Sequence, residues 1–96
     1  MVNLENKNKL RLVEGEFSNE EAREFLMNFF SSGIQFLEMK NFSSTVRFGK
    51  SDKTALMVIP QLKNNIEELL TTLSEEKLNK RRIYISSEIK ISLFDD

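Results

Sequence analysis

The sequence predicts an α+β fold, a two-layer sandwich with the order β-α-β-α-β and both helices on one face of a small three-stranded sheet. Three observations predict it. A helix-start signal follows an apolar segment at 9–17, a helical stripe begins at Ala55, and strict alternation marks 81–94. The 96 residues should form a single domain, 1–96, in which the polar residues 1–8 are expected to fray.

The first strand and the first helix are predicted to meet at Ser18. The segment "KLRLVEGEF" (9–17) has the character of a strand, with Gly15 placed to host a bulge. Ser18 stands three residues before Glu21, the spacing of a capping box. We therefore predict a helix over 19–32, with Gly33 as its left-handed terminal residue.

The rest of the chain is predicted to continue as strand, loop, helix and strand. The segment 34–42 is interpreted as the second strand and 43–53 as a polar loop. The second helix should begin at Asp52, kink near Pro60 and end near Leu78. In the last strand alternate residues should face the core, and they are Ile83, Ile85, Ser87, Ile89, Ile91 and Leu93.

The composition argues against an enzyme. The chain contains no cysteine and no histidine, so it lacks the commonest general base and the usual transition-metal ligands. We expect no catalytic residue, no metal and no cofactor. The carboxylate pair Glu14 and Glu16 lacks a third ligand and is interpreted as edge charge. No stretch has the length of a membrane span or the apolar core of a signal peptide, which favours the cytoplasm and no membrane partner.

The tripeptide Gly49-Lys50-Ser51 resembles the end of a phosphate-binding loop, but the motif is incomplete. The loop needs a glycine five residues earlier, so that consecutive amides can surround the phosphates. That position is Ser44. We therefore expect no nucleotide site.

Basic charge is concentrated around the same loop. Residues 40–63 contain five cations and one anion, a net charge of +4 in a chain whose total is −1. These charges either solvate a loop or form an anion or nucleic-acid site with the basic cluster 80–82. The residues of that alternative site are Arg47, Lys50, Ser51, Lys53, Arg81 and Arg82. Nucleic acid is possible but not favoured, because the overall charge gives no attraction.

The segment "FLMNFF" (25–30) has more apolar residues than one core stripe needs. Either the helix is buried on two sides, or Phe25, Met27 and Phe30 contact a partner. The last strand could also pair with its symmetry mate. The sequence thus favours a small non-enzymatic cytoplasmic interaction or accessory module, as a homodimer or with another protein, over an anion or nucleic-acid binder.

Overall fold

The computed structural model describes residues 8–74 and 81–94. It confirms the α+β class but not the predicted order, because the described elements follow the order β-α-α-β with two antiparallel strands in one sheet. The elements are β1 (Asn8–Phe17), α1 (Asn19–Phe48), α2 (Lys53–Leu73) and β2 (Ile83–Ile91). The three-stranded sandwich was therefore the wrong prediction.

The predicted strand 34–42 is the second half of α1. This helix has 30 residues and passes through Gly33 without ending there. A β-carbon on Gly33 would lie 3.3 Å from Cδ1 of Leu62, so the glycine lets α1 and α2 approach closely. That close packing offsets the helix-propensity cost of an internal glycine, about 1 kcal/mol relative to alanine.

The turn between the helices is much shorter than the predicted loop 43–53. Gly49 terminates α1 in the left-handed conformation, with φ 70°, and its amide donates to the carbonyl of Thr45 at 2.9 Å. Asp52 then caps α2 by accepting from the amide of Ala55 at 2.9 Å. The two helices lie antiparallel as a hairpin, since Asn19 contacts Leu73, Gly33 contacts Leu62 and Asn41 contacts Asp52.

The predicted helix starts are confirmed. Ser18 accepts from the amide of Glu21 at 3.0 Å, and the Glu21 carboxylate accepts from the amide of Ser18 at 3.0 Å. Pro60 lies inside α2, as predicted. The described helix ends at Leu73 with Ser74 as its C-cap, and the predicted end near Leu78 lies outside the described residues. The expected fraying of 1–8 falls, except for Asn8 in β1, outside the described residues.

The two ends of the chain pair as an antiparallel ribbon. Phe17 lies opposite Ile83 and Asn8 opposite Ile91. The register shifts between Arg11 and Val13, and not at Gly15 as predicted. A two-stranded ribbon is marginally stable by itself, so its stability depends on the helices against which its base packs.

The core sits where the ribbon meets the open end of the helical hairpin. Ala22, Leu73 and Ile85 are buried there, and partly buried side chains surround them: Val13, Phe17, Leu26, Leu69 and Ile83. The alternation predicted for the last strand holds near this core. It fails at Ile89 and Ile91, each 40% exposed, because neither described helix covers that part of the ribbon.

A buried polar contact joins the beginning of α1 to the end of α2. The side-chain amide of Asn19 donates to the carbonyl of Leu73 at 2.9 Å, and Arg23 Nη2 donates to the same oxygen at 3.1 Å. Arg23 also donates to Asn19 Oδ1 at 3.1 Å. A helix leaves its last carbonyls without intrahelical partners, so this contact satisfies one of them with side chains from the other helix.

We predict that Asn19→Ala lowers the free energy of unfolding by about 1–3 kcal/mol, because a buried hydrogen bond to Leu73 is lost. Asn64→Ala on the exposed side of α2 is the matched control and should cost clearly less. Denaturant melts of both variants give the comparison. Equal losses would show that the Asn19 contact contributes nothing.

We predict that Ile85→Ala lowers the free energy of unfolding by about 2–5 kcal/mol, the usual cost of emptying a buried isoleucine site. Ile91→Ala should cost less, since Ile91 is 40% exposed whereas Ile85 is 9% exposed. A larger loss for Ile91→Ala than for Ile85→Ala in denaturant melts would contradict the position of the core at the Ile85 end of β2.

Candidate interaction surface

The chain is thin for its length. It measures 49 × 33 × 14 Å along its principal axes and has a radius of gyration of 16.9 Å. A compact chain of this length has a radius of gyration of about 12.5 Å. Its accessible surface is 7693 Å², whereas a compact protein of this mass exposes about 5,700 Å². A structure this thin has little interior in which to place large side chains.

Large apolar side chains are accordingly exposed. Among the described residues none of the large side chains is fully buried. Most of the exposed ones lie in the second half of α1, in the first turns of α2, and in β2 or just after it. They include Phe36, Met39, Phe42, Val46 and Phe48 in α1, Leu56 and Met57 in α2, and Tyr84, Ile89, Ile91, Leu93 and Phe94 in or after β2.

The three interface residues predicted from the sequence are only half-buried, and they do not form the most exposed patch. The ring of Phe25 stacks on that of Phe17 with centroids 6.1 Å apart, and Phe30 meets Phe29 edge-on at 5.5 Å. Met27 is also half-buried. The more exposed apolar side chains lie farther along α1, around Phe36, within the segment 34–42 that was predicted to be a strand.

One face of α1 carries a regular apolar stripe. Its members recur at alternating intervals of four and three residues, and they are Phe25, Phe29, Ser32, Phe36, Met39, Ser43 and Val46. We call this set the outer stripe. At 100° per residue it lies about a third of a turn from the side that faces α2, where Leu26, Gly33 and Asn41 are found. The outer stripe is thus a second apolar face that α2 does not cover.

Two open grooves follow the outer stripe. One, of about 610 Å³, runs past Phe25 and Phe29, and the other, of about 720 Å³, runs past Met39 and Arg47. Both are bordered by Ser32 and Phe36, so they form one continuous depression along the helix. The sequence contains the helical spacing of the outer stripe, but Gly33 in the middle of it indicated a helix end, so the stripe was not predicted.

The residues of the predicted anion site are not brought together. Arg47, Lys50, Ser51 and Lys53 lie at the turn between the helices. Arg82, next to Arg81, lies beside Glu16 at the other end of α1, with Nε 3.7 Å from Oε1. A helix of 30 residues separates the two groups by about 45 Å. No single small ligand could span them.

Polar groups at the turn mostly bind one another. Ser44 donates to the carbonyl of Lys50 at 2.8 Å, and the amide of Asp52 donates to Asn41 Oδ1 at 2.8 Å. Lys40 forms an ion pair with Asp52. The hydrogen bond from Lys40, followed by that from the amide of Ala55, holds the pKa of Asp52 below its usual range. A protein carboxylate thus already occupies the N-terminus of α2, the place where an anion would bind.

The other candidates for chemistry also have structural partners. Gly49-Lys50-Ser51 lies between two helices, whereas a phosphate loop follows a strand. Glu14 pairs with Arg11 at 2.6 Å and accepts from the hydroxyl of Tyr84, which raises the pKa of that tyrosine. Within residues 8–74 and 81–94, no group of three or more acidic side chains is placed to hold a metal ion.

Comparisons with protein families, with curated proteins and with solved structures find no match for this chain. Neither described helix combines the length and the apolar character needed to cross a membrane. The exposed outer stripe of α1 and its grooves therefore remain as the main indication of function.

We predict that the ion pair between Lys40 and Asp52 makes stability depend on acid pH. The pKa of Asp52 is lower in the folded protein than its ordinary value of 3.8, so the ionised carboxylate contributes its full stabilisation of the fold above pH 3.8. This stabilisation is lost as the pH falls through the lower pKa of the folded state. Asp52→Asn keeps a good capping residue but removes the charge. The difference in melting temperature between native protein and variant should be present at pH 6 and shrink towards pH 2.

Lys40→Gln removes the other partner of this ion pair and should weaken the same acid dependence. Thermal melts over the pH range test both variants. A difference between native protein and Asp52→Asn that stays constant down to pH 2 would contradict the assigned role of the Asp52 carboxylate.

Proposed function

We propose that this protein is a small non-enzymatic interaction or accessory module that works as a homodimer. One observation carries the proposal: the described part of α1 leaves several large apolar side chains of the outer stripe about two-thirds exposed, namely Phe36, Met39 and Val46. Apolar patches of this kind on a folded chain mark interaction surfaces. The described residues contain no cysteine and no group of three or more acidic side chains placed to hold a metal ion.

The size of the uncovered surface suits a stable interface. The chain exposes about 2,000 Å² more than a compact protein of its mass. Obligate homodimers bury about 2,000–5,000 Å² in total, about half from each copy. Covering one apolar face would therefore remove about 1,000–2,500 Å² from each copy, an area comparable to that excess.

Binding of an anion or of nucleic acid at the basic turn is the second candidate. Arg47, Lys50 and Lys53 lie near one another there, which favours it. Asp52 disfavours it, because its carboxylate binds Lys40 and caps the helix at which the anion would bind. We also propose a cytoplasmic location, from the composition alone, since a chain without cysteine suits a reducing compartment.

We predict a dimer at micromolar concentration that persists from low to high salt. Salt screens ionic contacts but leaves apolar burial intact. Sedimentation equilibrium at about 50 mM and at about 1 M salt, below and above physiological ionic strength, measures the oligomeric state under weak and strong screening.

A monomer under both salt conditions would refute the homodimer. A dimer that dissociates as salt is added would favour the basic turn as the contact. Salt-dependent binding of a polynucleotide that is weakened by Lys50→Ala would then replace the first proposal with the second.

A further inference from the structure

We propose that the second copy binds antiparallel along the outer stripe of α1, so that two α1 helices form the centre of a four-helix bundle. This inference rests on the proposed homodimer and specifies its interface. The intervals of the stripe, alternately four and three residues, are those of a helix that packs on another helix as a coiled coil. One flank of α1 already contacts α2, so the stripe is available for a different helix.

Side-chain sizes along the stripe fit an antiparallel partner. With the two-fold axis midway between Ser32 and Phe36, Ser32 of one copy faces Phe36 of the second copy. In the same register Phe29 faces Met39 and Phe25 faces Ser43. Each phenylalanine at positions 25 and 36 thus meets a serine, and large side chains packed against small ones allow two helices to interdigitate. A parallel pair would instead place serine against serine and Phe36 against Phe36.

Charge along α1 also favours the antiparallel arrangement. The first turns contain Glu20, Glu21 and Glu24, whereas the last turns contain Arg47 and are followed by Lys50. Antiparallel pairing brings the acidic end of each helix near the basic end of the other, and it opposes the two helix dipoles favourably. Parallel pairing would put like charges side by side.

The contact would be long enough for a stable dimer. A helix of 30 residues is about 45 Å long, nearly the full 49 Å of the molecule's longest axis. The stripe extends over most of that length, from Phe25 to Val46. A continuous contact of this length can bury the area that a homodimer requires, and it would place the two ribbons at opposite ends of the bundle.

Cysteine cross-linking tests the register directly, because the native chain contains no cysteine. Phe29→Cys and Met39→Cys are prepared separately, with tags of different mass, mixed, allowed to exchange copies and oxidised. Disulfides form only when the α-carbons approach within about 4.4–6.8 Å. We expect disulfides between position 29 and position 39 of the other copy, and few between identical positions, which lie about 15 Å apart along the axis.

Each outcome of the cross-linking has a definite meaning. Disulfides between identical positions, 29 with 29 and 39 with 39, would show a parallel pair and overturn the proposed arrangement. A dimer without cross-links at either position would overturn the use of the outer stripe but keep the homodimer. Efficient cross-linking of Glu88→Cys in that case would identify pairing through β2. Ser31→Cys, on α1 outside the stripe, is the control and should not cross-link.

A charge placed in the stripe provides a second readout. Phe36→Glu should weaken dimerisation about tenfold or more, because the new carboxylate would be buried opposite Ser32 of the other copy. Met57→Glu, at a similarly exposed apolar site on α2, is the matched control. Circular dichroism distinguishes loss of the dimer from loss of the fold. Equal dimerisation constants for the native protein and Phe36→Glu would overturn the inference, and a monomeric native protein would overturn the homodimer as well.

Discussion

The contact of Asn19 and Arg23 with the carbonyl of Leu73 determines how the rest of the chain can be arranged. It fixes the beginning of α1 against the end of α2, and so holds the open end of the helical hairpin together. The two chain segments that leave that end, β1 and β2, are thereby placed side by side and can pair. Their ribbon, in turn, brings Ile85 onto Ala22 and Leu73, which are its main buried contacts.

That arrangement explains why the described part of the chain leaves large apolar side chains exposed. The core forms only where ribbon and hairpin meet, and the helices continue far beyond it towards Gly49. Along this distance α2 is the one neighbour of α1 among the described elements, although the apolar residues of α1 occupy more than one face. Two helices side by side can bury only the sides that face each other. The helical hairpin therefore lacks the enclosed apolar core that a bundle of more helices would have.

The turn between the helices shows how a pattern typical of ligand binding can have a structural purpose. Gly49 supplies the left-handed residue that ends α1. Asp52 caps α2 and binds Lys40, and Ser44 donates to the backbone of Lys50. These polar and basic residues lie near one another because their contacts form the short turn that reverses the direction of the chain between α1 and α2. The same contacts reduce the capacity of the turn to bind an anion from solution.

The sequence by itself determined the local features: the capping box at Ser18, the cap at Asp52, the stripe of α2 and the alternation of the last strand in the part that meets the core. Each depends on residues a few positions apart, so the short-range pattern is sufficient to predict it. Only the tertiary structure decided that α1 passes through Gly33, because the gain comes from close contact with Leu62, a residue distant in sequence. Because α1 continues through Gly33, the predicted second strand is helical, the described sheet has two strands, and the most exposed apolar side chains of α1 lie around and beyond Phe36. Local propensity cannot reveal such a result, since the packing energy that outweighs it exists only when the two helices lie together.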